Sequence, residues 1–228
     1  MLIGRPPLIR QTNAQMLLKL LRESGPCSRA DLVRASGLSA PSVTNVVAHL
    51  ASAGLVEPLG EGDSTGGRPP DILRFRAERG CVAGVEIGPG FLEFLLSDLT
   101  GRELARSRVS IEHRLSRPPA VCARIGKEVR GLLRGLKQPE EQLLRLVVGV
   151  PAIVNVDEGI VFAFSALKDW SNVSLGDQLG REFRCAVTVE NDTNLAAQGE
   201  FYRGAAQGEK NFVYIRIGEG VGLSLIHI

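Results

Sequence analysis

The run LLRLVVGVPAIV, Leu143 to Val154, carries a single charge, Arg145, in twelve residues. A segment that apolar reads as one strand buried on both faces, the environment of a parallel sheet covered by helices. It falls short of the roughly 18–20 residues that a membrane-spanning helix needs. Its surroundings suit a helix-covered sheet. Upstream, CVAGVEIGPGFLEFLLSDLTGRELARSRVSI is broken at Gly88-Pro89-Gly90 and Thr100-Gly101 into three strands of an antiparallel meander, and residues 117–136 are helical. Downstream, SLGDQLGREF predicts a helix, CAVTVE a strand, residues 193–203 a helix and NFVYIRIG another strand. The order βββαβαβα is an α/β layer, and such a layer holds its site at the ends of its strands.

One strand end draws attention. In VENDTNLAAQGE the run Ala186–Val189 passes through Glu190-Asn191-Asp192 directly into a helix. Asp192 can be a helix cap, worth roughly 1 kcal/mol with no function attached. It can equally be a ligand contact or a general base. Capping is the simplest reading of these residues taken alone.

The first third of the chain has a different pattern. Segment 12–24 places Met16, Leu17, Leu20 and Leu21 at helical spacing, with Thr12 or Asn13 as cap and Gly25-Pro26 as stop. A second helix spans 28–36, capped by Ser28 and ended by Gly37. A third follows Ser39, with Pro41 in its first turn and Val43, Val46, Val47 and Leu50 on one face. Helix, short turn with glycine, helix is the helix-turn-helix pattern, and a generic three-helix bundle shares it. The exposed start of the third helix argues for the former. Ser42, Thr44 and Asn45 are short and polar, so that face can approach base edges in a major groove. Ser28 and Arg29, at the start of the second helix, are further candidate DNA contacts. LVEPLG and DILRFRA then form the two strands of a wing around EGDSTGGRPP. Arg68, between Gly67 and Pro69, suits a narrow minor groove, and an interdomain linker accounts for the same residues equally well. The expected domains are 1–77, a winged helix-turn-helix, and 78–228, the α/β part.

Bulk properties agree with this division. The net charge is +2, and residues 1–80 hold 10 Lys/Arg against 7 Asp/Glu, while the remainder holds 17 against 18. The basic excess lies on the proposed DNA-facing side. No apolar run reaches membrane length and the first residues do not form a signal peptide, so the expected location is the cytoplasm. Cys27, Cys81, Cys122 and Cys185 lack zinc-ligand spacing and read as reduced, mostly buried thiols.

Taken together, SRADLVRASGLSAPSVTNVVAHLASAGLVE, the GGRP junction, VAGVEIG with SDLTG, VVGVPAIVNVDEGIV, KDW at 168–170, VENDTNLAAQGE and IGEGVG resemble the ROK family of repressors and sugar kinases, on its transcriptional-regulator branch. The resemblance runs from RQTNAQMLLKLL to about Gly222. It implies that residues 78–228 form the first lobe, and the start of the second, of an actin/hexokinase-like (RNase H-like) ATPase fold. It also implies a base at Asp192, a sugar contact at Asn191 and an ordering role at Glu200. Two phosphate loops are implied as well, and both are altered here. The first reads Glu86-Ile87-Gly88-Pro89-Gly90, where Pro89 removes an N–H and Gly90 a hydroxyl. The second reads Gly218-Glu219-Gly220-Val221-Gly222, where Glu219 sets a negative charge beside any polyphosphate. On the sugar side, Pro151-Ala152 and Ser165-Ala166-Leu167 stand where the family has Pro-Gly and Pro-Asn-Leu.

The resulting expectation is a non-enzymatic DNA-binding regulator of carbohydrate metabolism, a repressor, with a double-stranded DNA operator and a sugar or sugar-phosphate effector as partners. No cofactor or metal is expected in these residues, because the family's zinc site lies in the second lobe. The alternative is an ATP-dependent sugar kinase with an appended winged helix. The closing LSLIHI departs from the family pattern. It reads as a short native strand or, preferred here, as the end of a truncated chain that exposes an apolar face. The full-length parent is expected to be a homo-oligomer.

Overall fold

The computed structural model describes residues 6–61, 70–111, 117–163, 169–218 and 220–227, and divides into two compact units, Met1–Arg79 and Gly80–Ile228.

In the first unit, α1 (Pro6–Ser24), α2 (Arg29–Ser36) and α3 (Ala40–Ser52) surround a core of Leu17, Leu21, Leu32, Val43, Val47 and Leu50. Ser28 caps α2 through a capping box. Its hydroxyl accepts from Asp31 N at 3.2 Å, and Asp31 Oδ2 accepts from Ser28 N at 2.9 Å. Gly37 ends the helix in the left-handed region at φ 68°, where a Cβ is unfavourable. Ser39 caps α3 by accepting from Ser42 N at 3.4 Å. The start expected at Thr12 or Asn13 is corrected. α1 begins at Pro6, because two prolines fit a first turn whose N–H groups need no partner, so Thr12 and Asn13 are interior positions. The wing strands are β2 (Val56–Glu61) and β3 (Asp71–Phe75), and the short β1 (Cys27–Ser28) joins them in the order β1-β3-β2.

The second unit is built on a five-stranded sheet. Its strands are β4 (Cys81–Gly88), β5 (Phe91–Asp98), β6 (Glu103–Ser110), β7 (Leu143–Val150) and β11 (Ala186–Asn191), in the order β11-β7-β4-β5-β6. β4, β5 and β6 form the antiparallel meander, while β7 runs parallel to both of its neighbours, β4 and β11. Between these strands lie α4 (Pro118–Gly135) and α5 (Leu175–Glu182), whose buried faces join one core with Phe94, Ile125, Leu146 and Trp170.

The apolar run 143–154 is not one strand, which corrects the sequence reading. β7 stops at Val150 because Pro151 has no N–H to continue a ladder, and Ala152 N turns back to Val150 O at 2.8 Å. The chain then enters a separate small sheet of β8 (Ile153–Asn155), β9 (Ile160–Ala163) and β10 (Val173–Ser174). After β11 comes α6 (Asp192–Arg203), and then an antiparallel ribbon of β12 (Asn211–Ile217) and β13 (Val221–His227). Leu223–His227 of LSLIHI thus lie in the second strand of this ribbon. One side of the ribbon packs on α6, and Val213, Ile215, Ile217, Val221, Leu223 and Leu225 are exposed. No helix of the described residues is long and apolar enough to cross a membrane.

Candidate functional site

On the first unit, α3 buries Val43, Val46, Val47 and Leu50 and leaves Thr44, Asn45, Ala48 and His49 exposed. Ser42 is half-buried, and its hydroxyl lies 2.8 Å from that of Ser39. The outward face therefore carries no long charged side chain. Ser28, expected as a DNA contact, is only 6 % exposed and its hydroxyl is engaged in the capping box. Arg29 is half-exposed and pairs with Asp71 at 3.3 Å. Arg68 and its flanking glycines lie outside the described residues.

The second unit has a cleft of about 670 Å³ at the carboxyl ends of its parallel strands. Parallel pairing brings those ends together: Glu86 on β4 is level with Gly149 on β7, and Val150 with Asn191 on β11. The cleft is lined by Glu86, Gly88 and Pro89 at the end of β4, Pro151-Ala152 after β7, Asn191-Asp192 where β11 passes into α6, and Gly218 and Gly220 of the ribbon turn. Residues of the β4–β5 turn and of the ribbon turn thus share one cavity with Asp192. Gly88 has a packing reason of its own, since a Cβ there would lie 2.2 Å from the Phe91 ring. Gly90 is in the left-handed region at φ 79°, as the β4–β5 turn requires, and it does not line the cleft. Gly222 lies against the start of α6, where a Cβ would come 2.2 Å from Thr193 Oγ1. Glu219 and Ser165-Ala166-Leu167 lie outside the described residues.

The cap of α6 is Asn191, not Asp192. Asn191 Oδ1 accepts from Thr193 N at 2.9 Å and Asn194 N at 3.1 Å, and its Nδ2 donates to Ala152 O at 3.1 Å. Most of this side chain's hydrogen-bonding capacity is spent on its own backbone surroundings, with one N–H left over. Asp192 is the first helical residue, and its side chain is 10 % exposed. Its Oδ1 accepts from Thr193 Oγ1 at 3.2 Å, and its Oδ2 accepts from Arg216 Nη1 at 2.5 Å.

Arg216 was not singled out by the sequence reading. From β12 its other terminal nitrogen, Nη2, donates to Glu86 Oε1 at 2.9 Å, so one guanidinium joins β4, α6 and the ribbon. The hydrogen bond to Glu86 raises the Arg216 pKa above its ordinary value against the opposing effect of burial, with the nearby charges of Asp192 and Glu86 adding to it. The signal was present in strand alternation. In NFVYIRI, Phe212, Tyr214 and Arg216 share the more buried face, and an arginine on an inward face needs a carboxylate partner.

Glu200 is not at the cleft. It lies eight residues along α6 from Asp192, roughly 12 Å at 1.5 Å per residue. Its carboxylate accepts from Ala205 N at 2.8 Å, fastening the end of its own helix. Burial raises the thiol pKa of Cys81 and of Cys122 to about 11, so neither offers a thiolate near neutral pH. No group of three or more possible metal ligands occurs among the described residues.

The ROK family pattern matches residues 82–227, nearly the whole second unit and more than half of the chain. The chain belongs to the ROK family. In this ROK chain the MarR family pattern also matches residues 12–58, which include α2, α3 and most of α1. The xylose repressor of Bacillus subtilis is 28% identical over 98% of this chain and 57% of its own length. The DNA-binding transcriptional dual regulator NagC of Escherichia coli is 26% identical over 98% of this chain and 54% of its own length. The ROK chain therefore spans a little over half the length of these relatives. Among solved structures, a ROK family transcriptional regulator homologous to the E. coli MLC protein superposes with a TM-score of 0.79 at 26% identity, covering 96% of this chain and 55% of that one. A ROK family glucokinase from Streptomyces griseus, in complex with glucose and AMPPNP, gives a TM-score of 0.57 at 27% identity, covering 65% and 45%. The fold is thus a winged helix-turn-helix followed by an actin/hexokinase-like lobe.

Proposed function

We propose that this chain is the DNA-binding and ligand-sensing portion of a sugar-responsive transcriptional repressor, acting on a double-stranded operator without catalysing a reaction. The observation that carries the reading is the face of α3. Thr44 and Asn45 project from a helix whose opposite side is locked into the core, on a chain that aligns with repressors over 98% of its length. Short polar side chains at that position reach base edges, and an asparagine can make a bidentate contact to adenine.

The cleft supports sensing over catalysis. Pro89 in the cleft has no N–H to offer a phosphate, and Arg216 donates to the Asp192 carboxylate that a general base would need free. No resident cofactor or metal is part of this reading, and the repressor is proposed to act as a homo-oligomer at its operator. Support for the kinase alternative comes from the likeness to a glucokinase together with an intact Asp192 in the cleft.

The test is fluorescence anisotropy with duplexes selected from a random library, at several salt concentrations and with or without D-xylose or N-acetyl-D-glucosamine. Sequence preference, relaxed by Asn45→Ala at one position at a cost of about 1–3 kcal/mol, is the expected result. Binding with no sequence preference at all would sink the reading. Sugar-dependent ADP release abolished by Asp192→Asn would instead establish the kinase.

A further inference from the structure

The cleft contains its own cation, and that limits what can enter. Among its described lining residues the ionisable groups are Glu86, Asp192 and Arg216, two carboxylates and one guanidinium. Each terminal nitrogen of Arg216 is already directed at one of the acids. Asp192 has both oxygens engaged, Oδ1 by Thr193 and Oδ2 by Arg216. A ligand hydroxyl that approaches Asp192 Oδ2 therefore meets the Arg216 guanidinium, and must share the oxygen with its N–H or displace it.

We propose that Arg216 is the specificity-determining residue of the cleft: it competes with the ligand for Asp192 and restricts the site to uncharged polyhydroxylated ligands. The inference rests on the reading of this cleft as a sugar site. A neutral polyol exchanges one O–H for one N–H at Asp192, and Arg216 keeps its hold on Glu86, so no charge is stranded. A phosphate seated beside Arg216 would draw the same guanidinium away from both acids. That would leave two carboxylates without a cation beside a dianion, an arrangement that like-charge repulsion opposes. The side chain of Arg216 is 41% exposed, so it has solvent to move into and its pairing responds to salt.

Isothermal titration of the 228-residue chain with D-xylose, N-acetyl-D-glucosamine and N-acetyl-D-glucosamine 6-phosphate tests this. The expected result is binding of a neutral sugar, with the 6-phosphate at least about tenfold weaker. Arg216→Gln removes the competitor and is expected to tighten the neutral sugar by roughly three- to tenfold. Arg216→Lys keeps the charge but not the two-pronged reach, and is expected to fall between the two. Raising NaCl from about 0.05 to about 0.5 M is expected to tighten sugar binding in the unaltered chain and to leave Arg216→Gln unchanged. The salt and phosphate comparisons need no variant, so they decide the matter even if Arg216→Gln does not fold. Preference for the 6-phosphate, or weaker neutral-sugar binding in Arg216→Gln, would overturn the proposal and make Arg216 a ligand contact. Sugar binding that neither the variant nor salt alters would overturn this proposal alone. No sugar binding by any of the three chains would remove the sugar-site reading along with it.

Discussion

Replacing Asp98 with alanine should destabilise the second unit more than its place in a surface turn suggests. Asp98 ends β5 and is 5% exposed. Its Oδ1 accepts from Thr100 N at 2.9 Å, Thr100 Oγ1 at 2.6 Å and Arg102 N at 3.0 Å, and its Oδ2 accepts from Arg102 Nε at 3.1 Å. Together these bonds shape the turn into β6, with Gly101 at φ 84°. A hydrogen bond to a charged group contributes about 1.5–3 kcal/mol, but Thr100 and Arg102 are open enough for water to replace part of the loss. The expected net cost is about 2–4 kcal/mol. Asp98→Asn retains one oxygen and should cost about half as much.

The assay is urea unfolding followed by fluorescence of Trp170, the single tryptophan, which is buried in the second unit and so reports that unit. With a slope of about 2 kcal/mol per molar urea, the midpoint of Asp98→Ala should fall by about 1–2 M. Burial pushes the Asp98 carboxyl pKa up, and the hydrogen bonds from Thr100 and Arg102 outweigh it, leaving the pKa below its ordinary value. A carboxyl depressed in the folded state contributes stability that is present above the unfolded pKa, about 3.9, and lost as pH falls through the folded value. The gap between the parent chain and Asp98→Ala should therefore be constant near neutrality and narrow in acid. A gap below about 0.5 kcal/mol, or one that widens as pH falls, would refute the assignment.

Two further predictions concern the ribbon and the first unit. Gly222→Ala drives a methyl into Thr193, and should destabilise the second unit by about 1–3 kcal/mol in the same urea assay, with Thr193→Ala restoring part of the loss. Ser28→Ala removes the capping box of α2 and should cost the first unit about 0.5–2 kcal/mol, seen as an earlier loss of far-ultraviolet helical signal on heating.

Local chemistry made much of this architecture legible in the sequence. Ser28, Gly37, Ser39 and Pro41 mark the ends of α2 and α3 through rules that act within a few residues, and the alternation from Cys81 to Ile111 marks the meander. What stayed hidden depends on contacts between distant segments. Pro151 could have been read as a strand terminator, but the apolar run around it masked the break. Asn191 and Asp192 are both competent caps in sequence, and only the strand-to-helix geometry assigns the role to Asn191. Glu200 shares a helix with Asp192, yet the helical rise carries it out of reach. Arg216 gave a signal on the inward side of an alternating strand, but its partners Glu86 and Asp192 are adjacent only after the sheet and the ribbon have formed.

The bridge also has a timetable. Glu86 and Arg216 are 130 positions apart in the chain. At ordinary rates of protein synthesis, on the order of ten seconds separate their emergence from the ribosome. By the time α6 has been made, every strand of the five-stranded sheet is available and can pair. Until β12 has been made, Glu86 and Asp192 lack the cation that bridges them. Ligand binding that depends on Arg216 thus waits for β12, well after the strands of the sheet that holds Glu86 have been made.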